Sequence, residues 1–161
     1  MKNRTSSRTG LFLMELILAV LLFALSSVLC IQMFVKSHTL SKNSVELNHS
    51  ILWAQNVSEA FYGCNGNVSA MSELFEGCCY EILEGRGEYL TLLFDENFCP
   101  IEASADNLAS KTYSYELTAL ITQKENGLIS CSIWVTKASA KDSIYDLVLS
   151  LFPDKEVSHE S

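Results

Sequence analysis

The sequence predicts an α+β protein, one long N-terminal helix followed by a meander of short strands. Three patterns predict it. Residues 11–35, LFLMELILAVLLFALSSVLCIQMFV, form a largely apolar run with a single charge, Glu15. Residues 36–61 contain neither Pro nor Gly and set apolar and small residues at alternating steps of four and three. Residues 113–135 then change to a period of two, broken by an Asn126-Gly127 turn signal.

The apolar run would span about 37 Å as a helix at ~1.5 Å per residue, enough for a hydrocarbon core of ~30 Å. Lys2, Arg4 and Arg8 precede it, and residues 1–10 contain no acid. The positive-inside rule therefore places the N-terminus in the cytoplasm and the rest of the chain outside. Of 11 Lys and Arg, three lie in residues 1–10, so the remainder sets eight against 19 Asp and Glu, a net charge of −11. That balance argues against an extended nucleic-acid-binding face.

Glu15 is the residue to explain. A carboxylate in hydrocarbon is unfavourable by roughly 2.5–3.5 kcal/mol and marks a functional position that needs a partner. Three readings of the segment compete. A cleaved secretory signal would use Ala24-Leu25-Ser26 as its small-x-small site, but the apolar run continues to Val35. Lipoprotein processing at Cys30 meets a bulky Leu29. A plain uncleaved anchor leaves Glu15 unexplained. A cut after Gly10 would instead create a new amine at Leu11, four residues from Glu15 and in the same apolar surroundings.

The stretch Gly10-Leu11-Phe12-Leu13-Met14-Glu15-Leu16, behind its short basic leader, resembles the N-terminal motif of type IV prepilins and type II secretion pseudopilins. The resemblance implies that a prepilin peptidase cuts between Gly10 and Leu11 and methylates the new N-terminus. It also implies that Glu15 is an assembly residue. A neighbouring subunit's Leu11 amine would meet Glu15 when apolar helices bundle, neutralising both groups and fixing the axial stagger. The motif covers about 30 residues. Leu11 stands where Phe is commonest, Phe12 where a small hydroxyl residue is usual, and the run lacks the Pro frequent in major pilins. These departures fit a minor pilin or pseudopilin. The expected partners are other pilin or pseudopilin subunits, a filament assembly platform, and membrane lipid before assembly. Direct nucleic-acid binding is not expected. The fold implied is pilin-like, the long helix packed on a small antiparallel sheet.

The resulting organisation is a cleaved leader over 1–10, a transmembrane helix over 11–35 and an amphipathic extension over 36–62. An extracytoplasmic domain follows over 63–153, then a loose polar tail over 154–161. The stripe expected to face the domain is Leu40, Ser44, Leu47, Ile51, Ala54, Ser58 and Phe61, widened by Leu52 and Val57. Lys42, Asn43, Glu46, Asn48, Gln55 and Asn56 should line the other side. Gly63 is the first stop signal. Val68–Glu76 reads as a short helix. Tyr80–Leu83 and Tyr89–Phe94 read as a hairpin around Gly85-Arg86-Gly87, and 98–109 as a polar loop. Tyr113, Tyr115, Leu117, Ala119 and Ile121 alternate with polar residues, as do Ile129, Cys131, Ile133 and Val135. Asn126-Gly127 between them predicts a type I′ turn. Tyr145, Leu147, Leu149 and Leu151 form the last arm, ended by Pro153.

Six cysteines occur. Cys30 lies in the apolar run and packs as a small apolar residue. An extracytoplasmic domain permits disulfides, and Cys64 with one of Cys78, Cys79 or Cys99 is a candidate pair. Cys131, on an apolar strand face, reads as a free core thiol. No Cys-x-x-Cys occurs, and His38, His49 and His159 lack ligand spacing, so no metal or cofactor is expected. The Asn48-His-Ser, Asn56-Val-Ser and Asn67-Val-Ser sequons are incidental in a bacterial chain, which the prepilin resemblance implies. There is no P-loop and no Gly-x-Ser-x-Gly, so no enzyme is expected. The function classes left are a filament subunit and a monomeric anchored domain that binds an extracellular ligand.

Overall fold

The computed structural model describes residues 5–152 except 84, 86, 111, 125 and 141, with side chains from Gly10 onward. The first four leader residues, Arg86, Pro153 and the tail 154–161 lie outside the described residues. The elements are α1 (Thr5–Gly63), α2 (Val68–Ser72), β1 (Cys79–Leu83), β2 (Gly87–Phe94), β3 (Pro100–Ile101), α3 (Ala105–Ser110), β4 (Tyr115–Gln123), β5 (Ile129–Lys137) and β6 (Ser143–Leu151). All strand pairings are antiparallel, in the order β1-β2-β4-β5-β6, with β3 also on β2. The α+β class and the helix-then-sheet order are as the sequence predicts. The chain divides into two compact units between Ser44 and Val45.

The first unit is helix alone. From Gly10 to Ser44 every side chain is exposed except the half-buried Ser27. Several hydroxyls within it are satisfied locally. Ser26 Oγ donates to Leu22 O (2.8 Å), Ser27 Oγ to Phe23 O (2.9 Å) and Thr39 Oγ1 to Val35 O (3.0 Å). Such back-bonding lets Ser and Thr sit in an apolar helix without an orphan donor. Ala24-Leu25-Ser26 is thus ordinary helix interior.

The second unit builds its core from the last turns of α1 and one face of the sheet. Ala54, Val57, Ala60 and Phe61 pack with Leu90, Leu92 and Phe94 of β2, with Tyr115, Leu117, Ala119 and Ile121 of β4, and with Cys131, Ile133 and Val135 of β5. The period-two reading of these strands is borne out, because alternate residues enter that core while Leu120 and Trp134 point away from it. The opposite face is not bare: Leu93 and Thr118 are buried there as well.

The helix face differs from the expected one. Ala54, Val57 and Phe61 are buried as expected, but Ser50 and Ala60 join them while Leu47 and Leu52 are exposed. Glu46, expected on the polar side, is only 12% exposed. The face keeps three of the expected residues and is turned only in part, toward Ser50 and Ala60. The reason is steric. Small residues on the helix let it approach a sheet whose own side chains are bulky, and the volume is supplied from the strands. Glu46 follows inward because it has partners there. Lys137 Nζ stands 2.9 Å from Glu46 Oε1, and the Tyr115 hydroxyl also bonds Glu46.

Local chemistry explains three further differences. The 98–109 segment is not a plain loop. Asp95 Oδ1 accepts from Asn97 N (2.8 Å) and Cys99 N (2.9 Å), and the chain then enters β3. Ser104 Oγ accepts from Asn107 N (3.3 Å), an N-cap that starts α3. The predicted helix 68–76 stops at Ser72, held at its start by Asn67 Oδ1, which accepts from Ala70 N (3.1 Å). At the β4–β5 turn, Lys124 N donates to Leu128 O (2.9 Å), enclosing three residues rather than the two of a type I′ turn. The Asn126 side chain takes part instead, accepting from Leu128 N (3.1 Å). The β1–β2 hairpin forms as expected, with Leu83 opposite Gly87. Gly87 has φ +116, and a Cβ there would stand 2.5 Å from Ile121 O, so no side chain fits.

An aromatic stack ties the start of this unit together. Phe98, at φ +58 and 6% exposed, lies against Tyr115 (ring centroids 4.0 Å apart) on one side and His49 (5.1 Å) on the other. The left-handed backbone at Phe98 is costly for a bulky residue, and it is retained because it delivers the ring to this stack.

Alkaline pH tests the buried phenols. Burial first, then hydrogen bonds to Glu116 and Glu46, push Tyr113 and Tyr115 each up to about 12. Unfolded tyrosine titrates near ~10. The native state therefore favours the neutral phenols, and their contribution is complete below that pH and drains away as pH rises through 12. Urea midpoints should fall steeply between those values. Tyr115→Phe should flatten the fall, and an identical pH slope in both proteins would contradict the assignment.

Candidate functional site

The residues singled out in the sequence lie in two places. Gly10, Leu11 and Glu15 are on the bare first unit, and Cys64, Cys78, Cys79 and Cys99 are in the second.

Gly10 sits inside α1, and a Cβ built on it meets nothing within 4 Å. A glycine inside a helix is about 1 kcal/mol less favourable than alanine, and nothing among the described residues requires one here. Leu11 and Glu15 are one turn apart, so they share a helix face. Leu11 is 69% exposed. Glu15 is exposed too, and its carboxylate has no partner among the described residues. Around it, Leu16, Ile17, Val20 and Leu21 are all more than half exposed. The arrangement is one carboxylate on an otherwise uncharged, largely apolar rod. Its chemistry is to receive a cation or a hydrogen-bond donor brought by another molecule. Among the described residues, one helix is long and apolar enough to cross a membrane, spanning Gly10–Gly63.

The cysteines do not form one site. All six are free thiols. Cys78, just before β1, packs with Tyr80 against the core, and its thiol donates to Ser72 O (3.2 Å). Cys79, the first residue of the strand, sits 4.0 Å from Glu81 Oε1 and takes the face opposite Tyr80. Cys64 packs at the edge of the core after α1, whereas Cys99 is exposed beside β3. Cys131 is fully buried, and burial pushes its thiol up to about 12. It is the free core thiol the strand pattern predicts. Burial also raises Cys78 and Cys79. Among the described residues, no three His, Cys, Asp or Glu side chains come together as a metal ion would require.

Two polar arrangements had no sequence signal. One is the Glu46–Lys137–Tyr115 cluster, whose ends are 91 positions apart. The other is a cleft beside Trp53 that brings Glu76 and Glu102 to one rim. Their residues are distant in sequence, so only the folded chain unites them.

Comparison of the chain with protein-family models, with curated proteins and with solved structures returned no match.

Thiol reactivity should follow this geometry. A thiolate is the reactive form, so iodoacetamide at pH 8 should label Cys99 quickly and Cys131 only after unfolding. Labelling of Cys131 in the native protein at the rate of Cys99 would show that β5 is not packed as described.

Proposed function

We propose that this chain is a prepilin-type subunit, a minor pilin or pseudopilin of a type IV pilus or type II secretion-like filament. The observation that carries the proposal is the pairing of Gly10 with Glu15. The glycine has no structural reason among the described residues, and it stands one residue before the apolar run and five before that run's lone carboxylate. An outside agent that needs a bare backbone supplies the reason, because a peptidase must bring its catalytic groups close to the scissile bond. The long apolar helix followed by an antiparallel sheet is the architecture such subunits have.

In this reading the chain inserts with Lys2, Arg4 and Arg8 in the cytoplasm and its sheet domain outside. A prepilin peptidase removes residues 1–10 and methylates Leu11. The new amine is a cation on the rod that already carries Glu15. In the bilayer both groups lie near the end of the apolar run, close to the interface. In a filament the rods contact one another, and a neighbour's amine is the partner Glu15 lacks in the single chain. Each group alone is costly to bury; together, with good geometry, they compensate. The other pilin or pseudopilin subunits and the assembly platform are the partners this requires.

Intact-mass analysis of the membrane-extracted protein tests the processing step. The expected mature chain begins at N-methyl-Leu11. Gly10→Val should leave the leader attached, since added branching blocks approach to the backbone. A mature start at Ser27, or a wild-type chain that retains residues 1–10, would remove the prepilin reading and leave a signal sequence or a plain anchor.

A further inference from the structure

We propose that the cleft between α1, the α2–β1 connection and β3 binds an organic cation, an ammonium or guanidinium group carried on an apolar stem. The cleft has a volume of about 420 Å³, within the range of small-ligand sites, which are mostly apolar with a few convergent polar groups. Trp53 and Phe75 line it, with Leu92 and Ile101. Leu92, 2% exposed, belongs to the core. The polar groups are Glu76 and Glu102.

These two acids are brought together by the backbone. Ala103 N donates to Gly77 O (2.7 Å), and a Cβ on Gly77 would stand 3.2 Å from the Glu102 Cα. The residue before Gly77 and the residue before Ala103 therefore share one rim. Neither carboxylate has a hydrogen bond or ion pair among the described residues. Two exposed carboxylates on one rim beside an aromatic wall disfavour an anion and favour a cation over a neutral guest of the same shape. A cation answers both features: its charge relieves the carboxylates, and its face or stem packs on the rings, where the ring quadrupole also attracts it. This inference stands independently of the filament reading.

The test uses the full chain in a neutral detergent, with Trp134→Phe as background so that Trp53 is the one tryptophan left. The probe is benzylammonium. Saturable change in Trp53 emission is expected, weakened about tenfold or more by the Glu76→Gln/Glu102→Gln pair and by added salt. Both glutamates are exposed, so the double variant should keep its circular dichroism and melting temperature. Benzyl alcohol and phenylacetate should bind at least about tenfold more weakly than benzylammonium. The same chemistry occurs in a free amine and in a Lys or Arg side chain of another protein. Carbodiimide treatment of intact membranes separates the sources. A cross-link from Glu76 or Glu102 to another protein, suppressed by benzylammonium, assigns the cation to a protein, and its absence assigns it to a free amine. No saturable binding of benzylammonium, binding no tighter than benzyl alcohol, or affinity unchanged in the double variant would overturn the proposal.

Discussion

The apolar rod from Leu11 to Val35 has to be covered by something other than its own chain. Burying one Leu, Ile or Phe side chain is worth about 1.5–3 kcal/mol, and nearly every large apolar residue of this stretch is more than half exposed. Summed along the rod, the drive out of water far exceeds the roughly 2.5–3.5 kcal/mol that opposes one carboxylate in hydrocarbon. Glu15 therefore does not prevent insertion. It makes one covering better than another. Lipid tails satisfy the leucines and leave the carboxylate without a partner, whereas a bundle of like rods with free amines satisfies both.

The same helix has a second task in its later turns. From Val45 to Gly63 it serves a small sheet as its missing core layer, through small residues rather than large ones. Ser50, Ala54 and Ala60 let the sheet come close, and Trp53 and Phe61 fill the ends, Trp53 with its ring 4.8 Å from Phe94. Glu46, Lys137 and Tyr115 then add a polar clamp among α1, β4 and β5. Lys137 also lies 5.5 Å from the Tyr115 ring centroid. Its ammonium is partly exposed, so the ion pair with Glu46 is worth less than a buried one. Its role is to fix which helix face meets the sheet. Leu47 and Leu52 stay outside as a result, on a face the domain does not use.

Much of this fold is legible in the sequence because periodicity reports burial. Tyr115 to Ile121 and Ile129 to Val135 alternate clearly, and the strands fall there with the expected faces inward. The rod is legible for the same reason. What the sequence hides is of two kinds. The partial turn of the buried α1 face is hidden because an alanine-and-serine face carries little hydrophobic signal, so the larger leucines dominate the pattern while smaller residues make the contact. β3 and α3 are hidden because each depends on one side chain bonding to nearby backbone, Asp95 in one case and Ser104 in the other. The candidate processing and assembly residues are readable in one stretch, since Gly10, Leu11 and Glu15 are local. The Glu76–Glu102 rim is not, because the two residues meet only through the pairing of Gly77 with Ala103.

In the filament reading, Glu15 serves a neighbour's amine and not the membrane. The most direct measurement is the fraction of Glu15→Leu protein recovered in sheared filaments, or cross-linked to other pilins, relative to the membrane pool. The account predicts normal cleavage and insertion but a loss of incorporation, because the neighbour's amine then stays buried alone, which costs several kcal/mol in a dry site. Glu15→Gln, which keeps an acceptor and loses the charge, should fall between. Equal incorporation of wild type and Glu15→Leu would contradict the account, even with leader cleavage intact.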